Sequence, residues 1–482
     1  MTADDVLREF TALSVIPRCS GHEKAAADYV ANQAREAGYP SRKDKAGNIA
    51  VYVPGSRGME DAPVLILQGH LDMVCVKDPG SDHDFSKDPI IPVINDDFMT
   101  ALGTTLGADN GIAVALALAV MKDRSLPHGP LELLFTVEEE TGLIGATELG
   151  EGMVHGRFLV NLDFEEDYQI CIGCAGGNLI TAGGPLPVGP AARENQTEWK
   201  LAVHGLKGGH SGMDIGTGGE NIYRKFASFL RDLMPLKPAL TGMIGEGKVN
   251  AIPTNCLTTF LLQERRTDEL MNLYGDFEED IRNTYADSDI IPRISLEKTD
   301  TENDTALTAE GLKTLVDLVT ELPAGVLSRN EELGGQISTS ANPGVLSVDA
   351  GGNVHLEISV RSDRQENLDG REEQIRKITG KAGLPVVNIT SYPPWPPAAG
   401  SPLGTLCQDC REGIFENPAE MVTIHAGLEC GVISSKLNGI DAVSVGPNIF
   451  DVHTTRERIQ VPSLGKFVDW LRAILARQGD LQ

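Results

Sequence analysis

The apolar positions of the chain come in two rhythms. In "TADDVLREFTALS" they recur at three- and four-residue steps, which predicts an amphipathic helix beginning near Ala3. In "VLILQGH" and "LELLFTV" they run almost unbroken over a short span, which reads as buried strand. Strands are expected near Asn48–Val53, Pro63–Gln68, Leu131–Val137 and Arg157–Asp163, with helices around His22–Gly38 and Gly111–Lys122. Strand and helix alternating at these lengths predict a mixed α/β sheet with helices on its faces.

The segment "TAGGPLPVGPAAREN", Thr181–Asn195, is rich in Gly, Pro and Ala and reads as a connection leaving this domain. A second rhythm follows. Strands are expected at Glu198–Gly205, Cys256–Gln263 and Ile291–Leu296, two more in "GVLSVDAGGNVHLEISVRS", and one at Pro385–Thr390. Helices are expected at Asn221–Met234, Leu270–Tyr285, Ala309–Leu322 and Arg371–Ala382. The order suggests an α+β domain of repeated βαβ-type layers, one sheet with helices on one face. The proline-stiffened "SYPPWPPAAGSP", Ser391–Pro402, reads as a return connection. The first rhythm then resumes, with helices at Leu403–Glu416, Leu428–Leu437 and Pro462–Arg477 and strands at Met421–Ile424 and Ala442–Val445. The economical division is one discontinuous domain, 1–185 plus 396–482, with 186–395 inserted.

A length of 482 residues, 41% of them hydrophobic, supports two packed cores. The net charge of −28 argues against nucleic acid and anionic membrane surfaces, both polyanions. No stretch approaches the roughly 20 apolar residues of a membrane span, and the first residues lack a charged-then-apolar secretory pattern. The eight scattered cysteines suggest reduced thiols in the cytoplasm. The pairs Cys171/Cys174 and Cys407/Cys410 fall on an expected strand and helix, so buried, unreactive thiols are the favoured reading over a structural zinc.

Chemistry-bearing side chains collect where strands end. "VLILQGHLDMV" closes a strand on His70 and Asp72, "LLFTVEEETG" on Glu138, Glu139 and Glu140, and "FLVNLDFEED" on Asp163. Asp109 sits in a Gly-flanked turn before a helix, and His453 follows the last strand. One such histidine is more often an ordinary hydrogen-bonded residue, and one acidic triplet is more often a solvated turn. Five such segments together favour convergence at the carboxyl edge of one sheet. Two histidines with several carboxylates suit zinc or a similar divalent ion, and Asp109 is a candidate bridge between two. In "HLD" the acid two residues on can hold the second imidazole nitrogen. Such a site still needs a base for its water, and one glutamate of the triplet can serve.

The segments "GHLDMV", "LGADNGIAVALALA", "FTVEEETGLIGA", "LVNLDFEE", "GCAGG", "GLKGGHSGMDI", "NAIP" and "IHAGLECGVISSK" resemble the M20 metallopeptidases. The likeness is strongest to the branch of aminoacyl-histidine (Xaa-His) dipeptidases and spans nearly the whole chain. It implies a zinc-exopeptidase-like catalytic domain, an inserted lid that also mediates homodimerisation, and a cytoplasmic enzyme cleaving carnosine-like dipeptides. Two divalent ions are implied, zinc, or alternatively manganese or cobalt. His70 and Asp163 would hold one ion, Glu140 and His453 the other, with Asp109 bridging and Asp72 supporting His70. "EETG" aligns Glu139 with the general base and leaves Glu138 neither base nor ligand. The Asp109–Asn110 peptide is implied to be cis. In the lid, His210 matches a histidine that polarises the scissile carbonyl, in many members across a dimer. Asn250 and Arg361 match residues that bind the substrate's carboxylate, and Glu429 is a candidate for its amino group. Around His453, "FDVHTTRERI" departs from the family's usual flanks, which leaves fine substrate preference open. A broad dipeptidase or tripeptidase, an N-acyl amino acid deacylase and, remotely, a non-catalytic binding protein are the alternatives.

Overall fold

The computed structural model describes residues 1–481 except 218, 246, 287, 301, 302, 332, 333 and 399. The chain forms two compact units. One comprises Met1–Cys174, Trp395–Ile424 and Leu428–Gln482, the other Ala175–Pro394 with His425–Gly427. Cys174 and Trp395 exchange backbone hydrogen bonds of 2.9 and 3.0 Å, so the chain's exit from the first unit and its return lie side by side.

The first unit is built on an eight-stranded sheet. Its order is Ser41–Lys43, Ile49–Val53, Leu131–Thr136, Leu65–His70, Phe158–Asn161, Asp441–Ser444, Gln169–Cys174 and Glu420–Ile424. Leu131–Thr136, Leu65–His70, Phe158–Asn161 and Asp441–Ser444 are mutually parallel. Every residue of the first three is buried, as their unbroken apolar runs predict. The first helix, Ala3–Ser14, starts at a capping box in which Thr2 Oγ1 accepts from Asp5 N–H and the Asp5 carboxylate accepts from Thr2 N–H. Its buried Val6, Phe10 and Leu13 join the core against the helix Ala108–Lys122. That second helix is apolar all round and buried nearly throughout, so it is an internal helix.

A four-stranded sheet of Pro92–Asn95, Phe98–Ala101, Ile449–Phe450 and Arg458–Gln460 was not foreseen; its strands are too short to leave a periodic signal. The reduced-thiol expectation also needs correction. Cys19 and Cys75 form a disulfide, with Cα atoms 5.7 Å apart. The reason is local: the segment after the first helix runs parallel to the chain leaving the His70 strand, bridging at Cys19 and Met73. Cys171, Cys174, Cys256, Cys407, Cys410 and Cys430 are buried and form no disulfide among the described residues. Burial pushes the Cys171 thiol up to about 12, which suits an inert core residue.

The second unit carries a nine-stranded sheet. Its path is Arg293–Thr299, Gln196–His204, Cys256–Gln263, Ala239–Gly245, Gln336–Val348, Asn353–Ser362, Gly176–Pro185 and Val386–Tyr392, with Gly325–Asn330 also pairing Gln336–Val348. Every described pairing in it is antiparallel. The βαβ expectation appears in split form: Gln196–His204 and Ala239–Gly245 are both antiparallel to Cys256–Gln263 between them, so they run the same way, joined by helix Ile222–Leu233. Elsewhere short turns such as the one joining Val348 to Asn353 return the chain directly. The expected connection at Thr181–Asn195 is corrected in part. Gly176–Pro185 is a full strand paired with Asn353–Ser362, because flanking strands supply the packing that its glycines lack. The return connection Ser391–Pro402 includes Ala399, outside the described residues. Helix Ile222–Leu233 is capped by Asn221 Oδ1, which accepts from Tyr223 N–H at 3.0 Å, and buries Phe226, Leu230 and Leu233.

Candidate metal centre

Parallel strands put their carboxyl ends on one edge, and the candidate residues gather there. His70 is the last residue of its strand, Asp163 lies just beyond Phe158–Asn161, and the three glutamates follow Leu131–Thr136. Asp109 enters from the start of the buried helix, where Asp109 and Asn110 leave helical geometry and their peptide is cis. Asn110 fastens this bend to two strands. Its Oδ1 accepts from His70 N–H at 3.1 Å, and its Nδ2 donates to Leu162 O at 3.0 Å. Gly69 must be glycine there, since a Cβ would lie 2.4 Å from Asn110 Oδ1. His453 sits in a turn at φ +61°, a left-handed conformation unusual for histidine.

The two histidines face opposite oxygens of one carboxylate. His70 Nε2 lies 3.1 Å from Asp109 Oδ1, and His453 Nε2 lies 3.0 Å from Asp109 Oδ2. His70 Nε2 is also 3.5 Å from Asp163 Oδ1, and His453 Nε2 is 3.0 Å from Glu140 Oε1. His70, Asp109 and Glu140 each offer an atom within 4.8 Å of the others. Donors held about 2.0–2.1 Å from a tetrahedral ion stand ~3.3 Å apart. The observed separations fit that edge length, in two sets that share Asp109.

Asp72 is fully buried and organises the rest. Its Oδ1 lies 3.2 Å from His70 Nδ1 and accepts from Glu139 N–H at 3.1 Å, while Oδ2 accepts from Glu140 N–H at 3.2 Å and from Ser20 Oγ at 2.8 Å. One carboxylate thus orients an imidazole and fixes two of the three glutamates. Glu138 makes the turn at φ +49°, its N–H donating to Glu23 Oε1 at 3.1 Å.

The histidines and carboxylates of the cluster shift one another strongly. Burial works against the His70 imidazolium, but Asp163, Asp109 and Asp72 outweigh it and hold the ring well above its ordinary value. Hydrogen bonds to Asp109 and Glu140 push His453 up to about 11. Burial raises Glu139 well above the carboxylate range, with Asp163, Glu140 and Glu429 adding to it against the pull of His70. Glu165 is pushed up to about 8, mainly by burial and then by Asp109 and Asp163. An imidazole must lose its proton to take a metal, so metal uptake here releases protons. Zinc affinity is therefore expected to rise with pH through neutrality and on toward about 11, where the His453 imidazolium gives up its proton. Calorimetric titration in buffers of different ionisation enthalpy checks this; uptake without proton release would contradict it.

The model of "Peptidase family M20/M25/M40" matches residues 66–477. The chain belongs to this family. It is accordingly a hydrolase of peptide bonds. A curated member, the cytosol non-specific dipeptidase of Escherichia coli (strain K12), is 35% identical over 97% of this chain and 96% of its own length. The crystal structure of the aminoacylhistidine dipeptidase from Vibrio alginolyticus shares 32% identity and a TM-score of 0.86, covering 98% of this chain and 96% of that one. A tripeptidase from Staphylococcus aureus, 17% identical with a TM-score of 0.61 over 100% of this chain and 99% of that one, shares the fold. The mixed α/β fold of the M20 dipeptidases is thereby that of this chain.

Glu429 begins the helix Glu429–Lys436 and is buried. Its Oε2 accepts from Gln68 Nε2 at 2.5 Å and Thr136 Oγ1 at 2.8 Å, whereas Oε1 has no partner among the described residues. Burial brings this carboxyl up to about 7. Within the second unit, Arg361 Nη2 lies 3.2 Å from His210 Nε2, and Nη1 donates to Tyr392 Oη at 2.7 Å. Arg361 is buried, and among the described residues its Nε has no hydrogen-bond partner and no carboxylate pairs with it. Asn250 is exposed, its carbonyl accepting from Ser211 N–H at 2.9 Å. His425, within the family-like "IHAGLECGVISSK", carries no sequence signal of its own. It faces Ser340 Oγ at 2.8 Å, and burial, reinforced by Arg361, lowers it to about 4. Arg18, Ser20, Glu23 and Glu457 were also missed as supports, because they lie far in sequence from the residues they hold.

Proposed function

We propose that this chain is a two-metal dipeptidase of the M20 family that hydrolyses Xaa-His dipeptides. The observation that carries the two-metal reading is Asp109, which turns one oxygen to His70 and the other to His453. His70 and Asp163 would complete one ion site, His453 and Glu140 the other. Zinc suits this imidazole and carboxylate set, as manganese or cobalt would. Bound ions supply Lewis acidity and acidify the attacking water.

The chain's own groups do the rest. Asp72 holds His70 Nδ1, so that Nε2 points to metal. Glu139 takes the water's proton and delivers it to the leaving amine; its buried carboxyl, raised well above the carboxylate range, suits that exchange near neutral pH. His210 would polarise the scissile carbonyl. Arg361, a buried cation with no carboxylate partner among the described residues, suits the peptide's C-terminal carboxylate, and Asn250, whose backbone carbonyl accepts from Ser211 N–H, would assist it. The open Oε1 of Glu429 suits the substrate's ammonium. The second unit would act as lid and homodimer contact. The cytosolic relative supports a cytoplasmic site of action, although the Cys19–Cys75 pair is unusual there.

A second reading, broad dipeptidase activity, is favoured by the 35% identical relative named non-specific. A panel of dipeptides, tripeptides and N-acyl amino acids separates the two. Xaa-His substrates, carnosine included, are expected to turn over with the highest kcat/KM. Equal turnover across dipeptides would establish the broad reading, and failure on every Xaa-His peptide would overturn the first.

A further inference from the structure

Arg18 and Glu457 are two buried, oppositely charged side chains that touch neither histidine and hold the same short loop. Arg18 is 1% exposed. Its Nη1 donates to Leu71 O at 3.1 Å and Asp72 O at 3.0 Å, and its Nη2 donates to Gly107 O at 2.5 Å. Glu457 is 3% exposed. Its Oε2 accepts from the N–H groups of Leu106 at 2.8 Å and Gly107 at 2.9 Å, and its Oε1 accepts from Asp109 N–H at 3.2 Å. The loop is gripped from both sides, by a guanidinium on the Gly107 carbonyl and a carboxylate in a nest of three amides. Gly107 has φ +70°, and a Cβ there would lie 2.5 Å from Arg18 Nη2, so the grip requires glycine.

Each charge joins the Asp109 loop to one histidine. Arg18 ties it to the end of the strand carrying His70 and Asp72, and Arg18 O also accepts from Met73 N–H at 3.1 Å. Glu457 ties it to the turn carrying His453, its own N–H donating to Thr454 O at 3.1 Å. The two charges attract each other across the loop, but the side-chain hydrogen bonds of both go to backbone. A fold gains little from burying two charges merely to pair them. Setting the spacing of ligands on three separate chain segments is a task that fixed, charge-assisted hydrogen bonds perform well.

We propose that Arg18 and Glu457 are positioning residues that set the two halves of the metal centre separately: Arg18 fixes the His70–Asp109 spacing, and Glu457 fixes the Asp109–His453 spacing. This rests on the two-metal reading of Asp109.

The test is stepwise zinc titration of the full-length protein against a competing chelator. His70→Ala and His453→Ala serve as single-site references, and circular dichroism of the metal-free proteins reports folding. Glu457→Gln is expected to weaken the ion at the His453 half by about 10–100-fold while the other keeps its affinity. Arg18→Met is expected to do the reverse. Glu457→Asp and Arg18→Lys, which keep the charge but not the reach or the fork, substitute if either variant does not fold, with the same expected selectivity. Folded variants that bind both ions like the wild type, or lose both in equal measure, overturn the proposal and leave the two-metal reading standing. A wild type that binds no second ion, with histidine variants that change nothing, overturns the two-metal reading and the positioning roles with it.

Discussion

Glu139→Ala is expected to lower kcat by about 10²–10⁴-fold while the protein still binds two divalent ions. Of the three glutamates, only Glu140 places an oxygen on a histidine, 3.0 Å from His453 Nε2. Glu138 turns the chain at φ +49°. Glu139 is positioned by its backbone, the N–H donating to Asp72 Oδ1, and its carboxyl is raised by burial and by neighbouring negative charge. Bound cations would lower it again, toward the neutral range where a proton shuttle works best. The variant removes the shuttle without removing a proposed ligand, so kcat falls and metal content stays. Metal analysis beside steady-state kinetics decides the matter. Loss of an ion would move Glu139 into the ligand set and shift the roles of the triplet by one residue. Unchanged kcat would remove it from the mechanism.

The place of the triplet was legible in the sequence because "EETG" follows a strand whose apolar run is unmistakable, and the strand's end fixes where the glutamates emerge; the register of roles within it is the proposal that Glu139→Ala tests. The same logic singled out His70 and Asp163, which end or follow fully buried strands. Supports held by long-range contact were not legible. Arg18 reaches Gly107 across 89 residues and Glu457 reaches it across 350, and nothing local to "IPRCS" or "TRERI" marks either side chain as buried. The Cys19–Cys75 pairing was hidden for the same reason, since the cysteines meet only when two distant segments run parallel. Strand pairing was legible only in part. Alternating strand and helix lengths indicate the crossovers of the second unit, such as helix Ile222–Leu233, but period alone does not reveal that another strand, Cys256–Gln263, slots between the two it joins. Thr181–Asn195 was read as a connection although Thr181–Pro185 belongs to the strand Gly176–Pro185, because composition outweighed its place between two partner strands.

Asp109→Ala is expected to abolish measurable turnover and to weaken both ions, each by at least the ~100-fold that loss of an outer partner can cost. The reason is arithmetic of ligands. A catalytic zinc commonly keeps three protein ligands and leaves its remaining position for water or substrate. Each proposed half has a histidine, one carboxylate of its own and one oxygen of Asp109. Removing Asp109 leaves two protein ligands on each side, whereas His453→Ala removes a ligand from one side only. Asp109→Asn sharpens the contrast. An amide offers one oxygen and one NH₂, so it can serve one ion but presents donors to the other. It is expected to retain a single tightly bound ion. The metal-free proteins provide a second signature. The Asp109 carboxylate is one of the groups that hold the His453 imidazolium up to about 11 and the His70 ring well above its ordinary value. Without it both rings titrate lower, so the protons released per ion bound should fall in Asp109→Ala relative to wild type. Metal stoichiometry and proton release measured in one calorimetric series report both effects. An Asp109→Ala protein that held two ions with undiminished affinity would show that this carboxylate bridges nothing.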